Sequence, residues 1–76
     1  MNIEKIKKIY IENKKVSFNL LGLDYTIEAQ EDGVIIYEDM YKLKYKFFNN
    51  IDTLLENYYI YGEELSSYDI KIKNIH

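Results

Sequence analysis

The chain has 76 residues, 13 acidic side chains against ten lysines, and a formal net charge of −3 at pH 7. It contains no cysteine, which excludes disulfides, zinc–thiolate sites and iron–sulfur clusters. With 47% apolar and 30% charged residues it has a globular composition, and its length predicts one domain over residues 1–76. No apolar run approaches the roughly 20 residues of a membrane span, and the charged first eight residues are unlike a signal peptide. We therefore expect a cytoplasmic protein that does not enter membranes.

Amino acids with AT-rich codons dominate the chain: twelve Ile, ten Lys, nine Tyr and seven Asn, whereas Pro, Arg and Trp are absent. This usage predicts a low-GC genome, such as that of a Firmicute bacterium or one of its phages. Codon usage does not account for nine tyrosines beside only three phenylalanines, because phenylalanine codons are equally AT-rich. Tyrosine is enriched at protein interfaces, where it buries a large area and keeps a polar tip. The surplus of tyrosine therefore favours an interaction surface.

The start of the chain predicts a helix followed by a hairpin. Isoleucines at helical spacing predict an amphipathic helix from Asn2, which can cap it, to about Asn13. Apolar and polar residues then alternate over Lys15–Leu20 and again over Tyr25–Gln30, which is the period of half-buried strands. Gly22 marks the turn between them, so we expect the two strands to pair antiparallel.

Two further strands are predicted in the middle of the chain. Asp32–Gly33 favours a hairpin turn with positive φ. Val34–Tyr37 is apolar on both sides, which indicates either a central strand covered on both faces or an exposed adhesive patch. The cleanest alternation runs over Tyr41–Phe47. This strand is predicted to point four apolar side chains into the core and three lysines outwards, namely Tyr41, Leu43, Tyr45 and Phe47 against Lys42, Lys44 and Lys46.

The last third of the chain predicts one or two helices. Asn49 or Asn50 is expected to cap a helix that begins at Ile51, and Gly62 to end it. Residues 63–76 fit a helical stripe and an alternating strand equally well, and we expect a short second helix with an irregular or extended end. The elements together predict an α+β fold with an N-terminal helix, a four-stranded antiparallel meander and one or two C-terminal helices packed on one sheet face.

Side chains that usually carry catalysis are scarce. The only histidine is His76, the last residue, where we expect fraying or the remnant of a tag. Without cysteine or an internal histidine, the common nucleophile–base pairs are missing. Neighbouring carboxylates lie in predicted turns or helix starts, where acidic residues are common. We predict a protein that is not an enzyme and that uses no cofactor or metal.

Tyrosines stand next to acidic residues at two places in the sequence. We predict that a partner protein is bound there, by Tyr37, Glu38, Asp39, Tyr59, Tyr61, Glu63 and Glu64.

Three alternatives to this protein-binding surface stay open. In the first, Lys42, Lys44 and Lys46 share a sheet face with Tyr37 and grip a single-stranded nucleic acid. In the second, an oligomer acts as a sponge that traps a small nucleotide signal between stacked tyrosine rings. In the third, the strand Val34–Tyr37 seals a homodimer.

The segment Leu54-Leu55-Glu56-Asn57-Tyr58-Tyr59-Ile60-Tyr61-Gly62-Glu63-Glu64-Leu65 resembles the C-terminal part of small uncharacterised proteins of Firmicute prophages and mobile elements. The resemblance covers about residues 33–72 and rests on a helix, a glycine and the next apolar anchor. It implies a phage or mobile-element setting, in which small acidic proteins without catalytic residues are often inhibitors of host machinery, including anti-CRISPR and other anti-defence proteins. We therefore predict a non-enzymatic protein that binds and inhibits a host protein.

Overall fold

In the computed structural model, which describes residues 1–76, helices cover one face of a four-stranded antiparallel sheet. The elements are, in chain order, α1 (Asn2–Asn13), β1 (Lys15–Leu20), β2 (Leu23–Gln30), β3 (Gly33–Glu38), a first 3₁₀ helix (Asp39–Tyr41), β4 (Lys46–Phe48), α2 (Ile51–Asn57), β5 (Tyr59–Ile60), β6 (Glu63–Glu64) and a second 3₁₀ helix (Leu65–Lys71). Strands β1 to β4 lie in the sheet in chain order, each antiparallel to the next. The predicted α+β fold is confirmed.

The hydrophobic core lies between the helices and one face of the sheet. Every second residue of β1, β2 and β3 points to this face, as the period of a strand requires. The buried side chains of the core come from the three strands, both α-helices, the β5–β6 hairpin and the C-terminal segment, and they are Ile6, Val16, Phe18, Leu20, Tyr25, Ile27, Val34, Ile36, Leu54, Leu55, Ile60, Leu65, Tyr68 and Ile72. The opposite face of the sheet carries no α-helix, and we call it the open face.

Helix α1 is tied at its start to the C-terminal segment. The Asp69 carboxylate accepts a hydrogen bond of 2.6 Å from the Ile3 backbone N–H. The Asn2 side-chain amide donates to the backbone oxygens of Asp69 and Ile72, at 2.6 and 3.0 Å. The prediction that Asn2 caps α1 is therefore wrong, because Asn2 is the first residue of the helix and Asp69 accepts from one of the free N–H groups of its first turn, that of Ile3.

Gly33 is required by close packing, which differs from the predicted role in a turn. The loop between β2 and β3 consists of Glu31 and Asp32. Gly33 is the first residue of β3, and its φ is not positive. A Cβ atom at Gly33 would collide with the Phe48 backbone oxygen and would lie 2.7 Å from Cζ of Phe47. Strand β4 therefore passes Gly33 at a distance that only glycine permits.

The predicted strand over Tyr41–Phe47 is wrong in length and in orientation. Only Lys46–Phe48 forms a strand, and Phe48 pairs with Val34. Phe48 therefore faces the core, where its ring meets Tyr58 edge-on at 6.5 Å. The core-facing position of this strand is thus shifted by one residue from the prediction, and such a shift turns every side chain of a strand to the opposite face. The four side chains predicted to be buried are all exposed, namely Tyr41, Leu43, Tyr45 and Phe47.

Helix α2 begins at Ile51 with Asn50 as its cap, as predicted, but it ends at Asn57. Gly62 does not terminate it. Instead, Tyr61 and Gly62 have positive φ values of 51° and 81° and form the turn between β5 and β6. Paired positive φ values are typical of a two-residue hairpin turn.

The C-terminal segment combines both structures that its sequence allowed. The second 3₁₀ helix is followed by extended backbone that pairs with β1. Asn19 and Lys73 exchange two backbone hydrogen bonds, as do Ser17 and His76. Asn74, with φ of 53°, takes up the extra residue on the outer strand. His76 is thus held by the sheet edge, contrary to the expected fraying.

The longest helix of the fold, α1, has 12 residues. No helix is both long and apolar enough to cross a membrane.

A candidate partner-binding groove

A groove of about 460 Å³ lies on the helical side of the molecule, between α1, α2 and the β5–β6 hairpin. We call it the acidic groove. It is lined by Ile3, Lys7, Asp52, Leu55, Glu56, Tyr59, Glu64 and Ser66.

Helix α2 supplies two carboxylates to one wall. The Asn50 side chain accepts a hydrogen bond of 2.8 Å from the Thr53 N–H and thereby fixes the first turn of α2. Asp52 and Glu56 are four residues apart, so they lie on the same side of the helix. Leu54, from a different side, is fully buried in the core. The orientation of both carboxylates therefore follows from how α2 packs.

The β5–β6 hairpin supplies the opposite wall. Tyr59 and Glu64 are direct cross-strand partners, so their side chains lie next to each other on one face of the ribbon. Ile60, on the other face, is buried in the core. The hairpin is held by the Tyr68 hydroxyl, which donates to the Ile60 backbone oxygen at 2.5 Å, and by the Leu65 N–H, which donates to Tyr58 O at 2.8 Å.

Negative charge exceeds positive charge in the groove. The Lys7 ammonium lies 2.7 Å from the Asp52 carboxylate, and this hydrogen bond and charge raise the pKa of Lys7 above its ordinary value. Glu56 and Glu64 form no ion pair. A cationic group that entered the groove would meet these two carboxylates beside the half-exposed ring of Tyr59, which attracts cations through its π face.

The structure separates the predicted partner-binding residues into two groups. Tyr59, Tyr61, Glu63 and Glu64 lie together on the β5–β6 hairpin, and Tyr61 at its tip is 82% exposed. Glu38, at the end of β3, is the cross-strand partner of Tyr25 and therefore lies on the core face of the sheet.

Tyr37 and Asp39 form the second group, on the open face. Tyr37 is only 7% exposed, and its hydroxyl donates to the Glu28 carboxylate at 3.0 Å. The Thr26 hydroxyl donates to Asp39 at 2.6 Å and lies 2.9 Å from the Ser17 hydroxyl. Both predicted contact residues are therefore engaged in internal hydrogen bonds: Tyr37–Glu28 joins β3 to β2, and Thr26–Asp39 holds the first 3₁₀ helix against the sheet.

The predicted partner-binding residues did not include Lys7, Asp52 or Glu56. The spacing of Asp52 and Glu56 on a predicted helix places two acidic side chains on one surface, and this signal was available. Nothing in the sequence places Lys7 there, because its contact with Asp52 joins two helices that are distant in the chain.

The predicted nucleic-acid residues do not share a sheet face. Lys42 and Lys44 lie in the loop between β3 and β4, and the Lys44 ammonium lies 5.8 Å from the centre of the Tyr41 ring. Lys46 lies on β4 opposite Ile36, whereas Tyr37 is buried on the open face. Around these lysines the loop exposes five apolar side chains, Met40, Tyr41, Leu43, Tyr45 and Phe47, which we call the loop surface.

No three His, Cys, Asp or Glu side chains are grouped as metal ligands would be. His76, the only histidine, has its Nδ1 atom 2.7 Å from the Asn74 backbone oxygen, away from the acidic groove.

No family model matches the chain, and no solved structure gives a significant match. The chain is similar to a RING finger protein of Plasmodium falciparum (isolate 3D7), with 36% identity over 88 aligned positions. The alignment covers 99% of this chain but 6% of that protein. This chain has no cysteine and one histidine, so it lacks the set of Cys and His ligands with which a RING finger holds zinc. The similarity therefore assigns neither a family nor an activity to the chain.

Proposed function

We propose that this protein is a non-enzymatic binding protein whose acidic groove receives a lysine or arginine side chain of a partner protein. By covering that basic surface, it blocks the partner. The observation that carries the proposal is the pair of carboxylates, Glu56 and Glu64, that form no ion pair within the chain and line the groove together with the accessible ring of Tyr59.

The chemistry of the groove favours a cationic group in three ways. Carboxylates accept charge-assisted hydrogen bonds from guanidinium and ammonium groups. A tyrosine face adds a cation–π attraction of about 0.5–1 kcal/mol at an exposed site. The Lys7–Asp52 ion pair engages one of the three carboxylates that line the groove and leaves the other two without an ion pair.

Exposed residues next to the groove extend the contact surface. Tyr61 and Glu63 project from the same hairpin, and tyrosine and arginine are the residues most enriched where binding energy is concentrated. We further propose that the partner is a host protein and that the inhibition is of the anti-defence type, anti-CRISPR activity included, in keeping with the resemblance to prophage and mobile-element proteins.

The groove is tested directly by NMR titration with a short arginine-rich peptide, and with a glutamate-rich peptide of equal length as a control. We expect amide shifts from the arginine peptide to concentrate at Glu56, Tyr59 and Glu64. Glu56→Lys/Glu64→Lys should abolish them, whereas Glu12→Lys/Asp24→Lys, with the same change in net charge, should preserve them. Shifts spread evenly over all acidic residues would contradict a specific groove.

Partner binding is tested by affinity capture from a nuclease-treated lysate of a low-GC bacterium. The expected result is one stoichiometric protein that wild type and Glu12→Lys/Asp24→Lys retain and Glu56→Lys/Glu64→Lys loses. Retention of the same protein by all three would place the contact elsewhere. A specific activity of that protein, measured with and without this chain, then decides whether binding inhibits it.

A further inference from the structure

The loop surface is an unusual concentration of exposed apolar side chains. Five of the eight residues between Met40 and Phe47 are large and apolar, and the exposed fraction reaches 81% for Met40 and 94% for Leu43. Phe47 pairs with Ile35 across β3 and β4, so the loop surface continues onto the open face of the sheet. Apolar patches of this kind on small proteins mark sites of association.

Unpaired charges of opposite sign lie at two places on this surface. Glu31 and Asp32 line a cleft of about 290 Å³ together with Ile35, Tyr45 and Phe47. Lys42 and Lys44 line a second cleft of about 410 Å³ with Met40, Tyr41, Leu43 and Asp39, whose carboxylate accepts a hydrogen bond from the Thr26 hydroxyl. Neither these two lysines nor Glu31 and Asp32 form an ion pair within the chain, whose two ion pairs are Met1–Glu4 and Lys7–Asp52.

We propose that the loop surface binds a second copy of this chain in a two-fold symmetric interface. In such an interface one patch meets itself, so residue i contacts residue j and residue j contacts residue i. Lys42 and Lys44 of each copy face Glu31 and Asp32 of the other. The apolar side chains between these charges are removed from contact with water. Burial of the apolar side chains drives the association, and the two sets of charges fix its orientation.

A second copy fits this surface better than a nucleic acid does. Although Tyr41, Tyr45 and Phe47 alternate with lysines, the acidic side chains of Glu31 and Asp32 border the same surface and would repel phosphates. The net charge of −3 acts in the same direction. Leu43 and Met40, which are aliphatic and offer no ring on which a base can stack, are the most exposed apolar side chains of the loop.

The interface is tested by sedimentation equilibrium of the full chain at concentrations from about 1 to 300 μM. Wild type should be a dimer at the upper end. Lys42→Glu/Lys44→Glu and Glu31→Lys/Asp32→Lys should each raise the dissociation constant at least about ten-fold, because each variant places like charges opposite one another. Lys5→Glu/Lys8→Glu, on exposed positions of α1, is the matched control and should leave the dissociation constant unchanged.

Mixing the two reverse-charge variants tests the two-fold geometry itself. At positions 31, 32, 42 and 44 one variant then carries four acidic side chains and the other four basic ones, so the mixture should form a heterodimer at least as stable as the wild-type dimer. Leu43→Ser should weaken the dimer without altering the urea midpoint of the monomer, because Leu43 makes little contact with its own chain.

Three results would overturn the proposal: a monomeric wild type at the highest concentration, a dimer that survives both charge reversals, or variants that fail to associate when mixed. A monomer that binds oligo-dT at low salt would instead assign the loop surface to nucleic acid. Glu56→Lys/Glu64→Lys lies outside the surface and should still dimerise, so failure of the groove and failure of this interface are distinguishable.

Discussion

At the scale of single residues, Gly33 is the glycine with the least space for a side chain. Gly33→Ala would press a methyl group against the Phe48 backbone and the Phe47 ring, so we expect a loss of about 1–3 kcal/mol in the free energy of unfolding and displacement of β4. Gly22→Ala is the control: its added Cβ meets open space, but its φ of 84° costs about 1 kcal/mol. Urea unfolding measures both, and NMR shifts of Phe47 and Phe48 should move only in Gly33→Ala. Equal stability of Gly33→Ala and wild type would contradict the packing.

Tyr25 makes stability depend on alkaline pH. Burial, followed by the nearby Tyr58 and Glu38, raises the pKa of its phenol from 10.0 to about 12. The folded state holds this proton more tightly than the unfolded chain, so the protonated phenol adds to the free energy of unfolding. This stabilising contribution is fully present below pH 10 and is lost as the pH rises towards 12.

Tyr25→Phe has no phenolic proton to lose. We therefore expect its free energy of unfolding to fall less than that of wild type between pH 10 and 12, by at most about 3 kcal/mol. Urea titrations at pH 8, 10, 11 and 12 measure the difference, and deprotonation of lysines affects both proteins alike. Parallel curves for the two proteins would show that Tyr25 titrates similarly in both states.

The burial of a side chain could be predicted where it depends only on the alternation within its own strand. It could not be predicted where a second, separate element covers the side chain. Phe18 and Tyr25 alternate with polar neighbours and stack at 5.5 Å in the core, as their strands predict. Tyr37 lies on the open face, which no α-helix covers, yet its side chain is buried. The first 3₁₀ helix folds back onto that face through the Thr26–Asp39 hydrogen bond, and no local pattern contains this contact.

At the scale of elements, α1 depends on a carboxylate from the other end of the chain. Asp69→Ala should lower the free energy of unfolding by about 1.5–3 kcal/mol, because it removes a hydrogen bond between a charged group and the Ile3 N–H. Asp69→Asn keeps an oxygen acceptor and should lose less. Hydrogen exchange of the Ile3 amide, compared with that of an amide in the middle of α1, locates the effect. Uniform acceleration along α1 in both variants would contradict a local cap.

Elements were predicted best where local signals agree. The Asn50 side chain caps α2 at 2.8 Å, as its position before an apolar periodic segment indicates. Strand β4 was misplaced because two adjacent phenylalanines permit either register, and only the pairing with β3 selects Phe48 for the core. Gly62 was misassigned because a helix end and a hairpin turn both require positive φ.

At the scale of the whole molecule, the two candidate surfaces lie on opposite sides of the sheet. The acidic groove belongs to the helical side, and the loop surface continues onto the open face. A dimer formed through the loop surfaces would leave both grooves accessible and directed away from the interface. It would then bind a partner with two suitably spaced basic segments more tightly than a monomer, by raising the effective concentration of the second groove.

The pairing of residues 72–76 with β1 has a consequence for biosynthesis. Helix α1 and β1 are synthesised before Asp69, the group that caps α1, and before the backbone of residues 73–76, which covers the outer edge of β1 at Ser17 and Asn19. Contacts between segments so distant in sequence slow folding. Until synthesis reaches these residues, β1 presents an open strand edge that other chains can pair with. The nascent chain therefore completes this fold only after residues 69–76 have been synthesised, and a product stalled or cut before them is the form most exposed to aggregation and proteolysis.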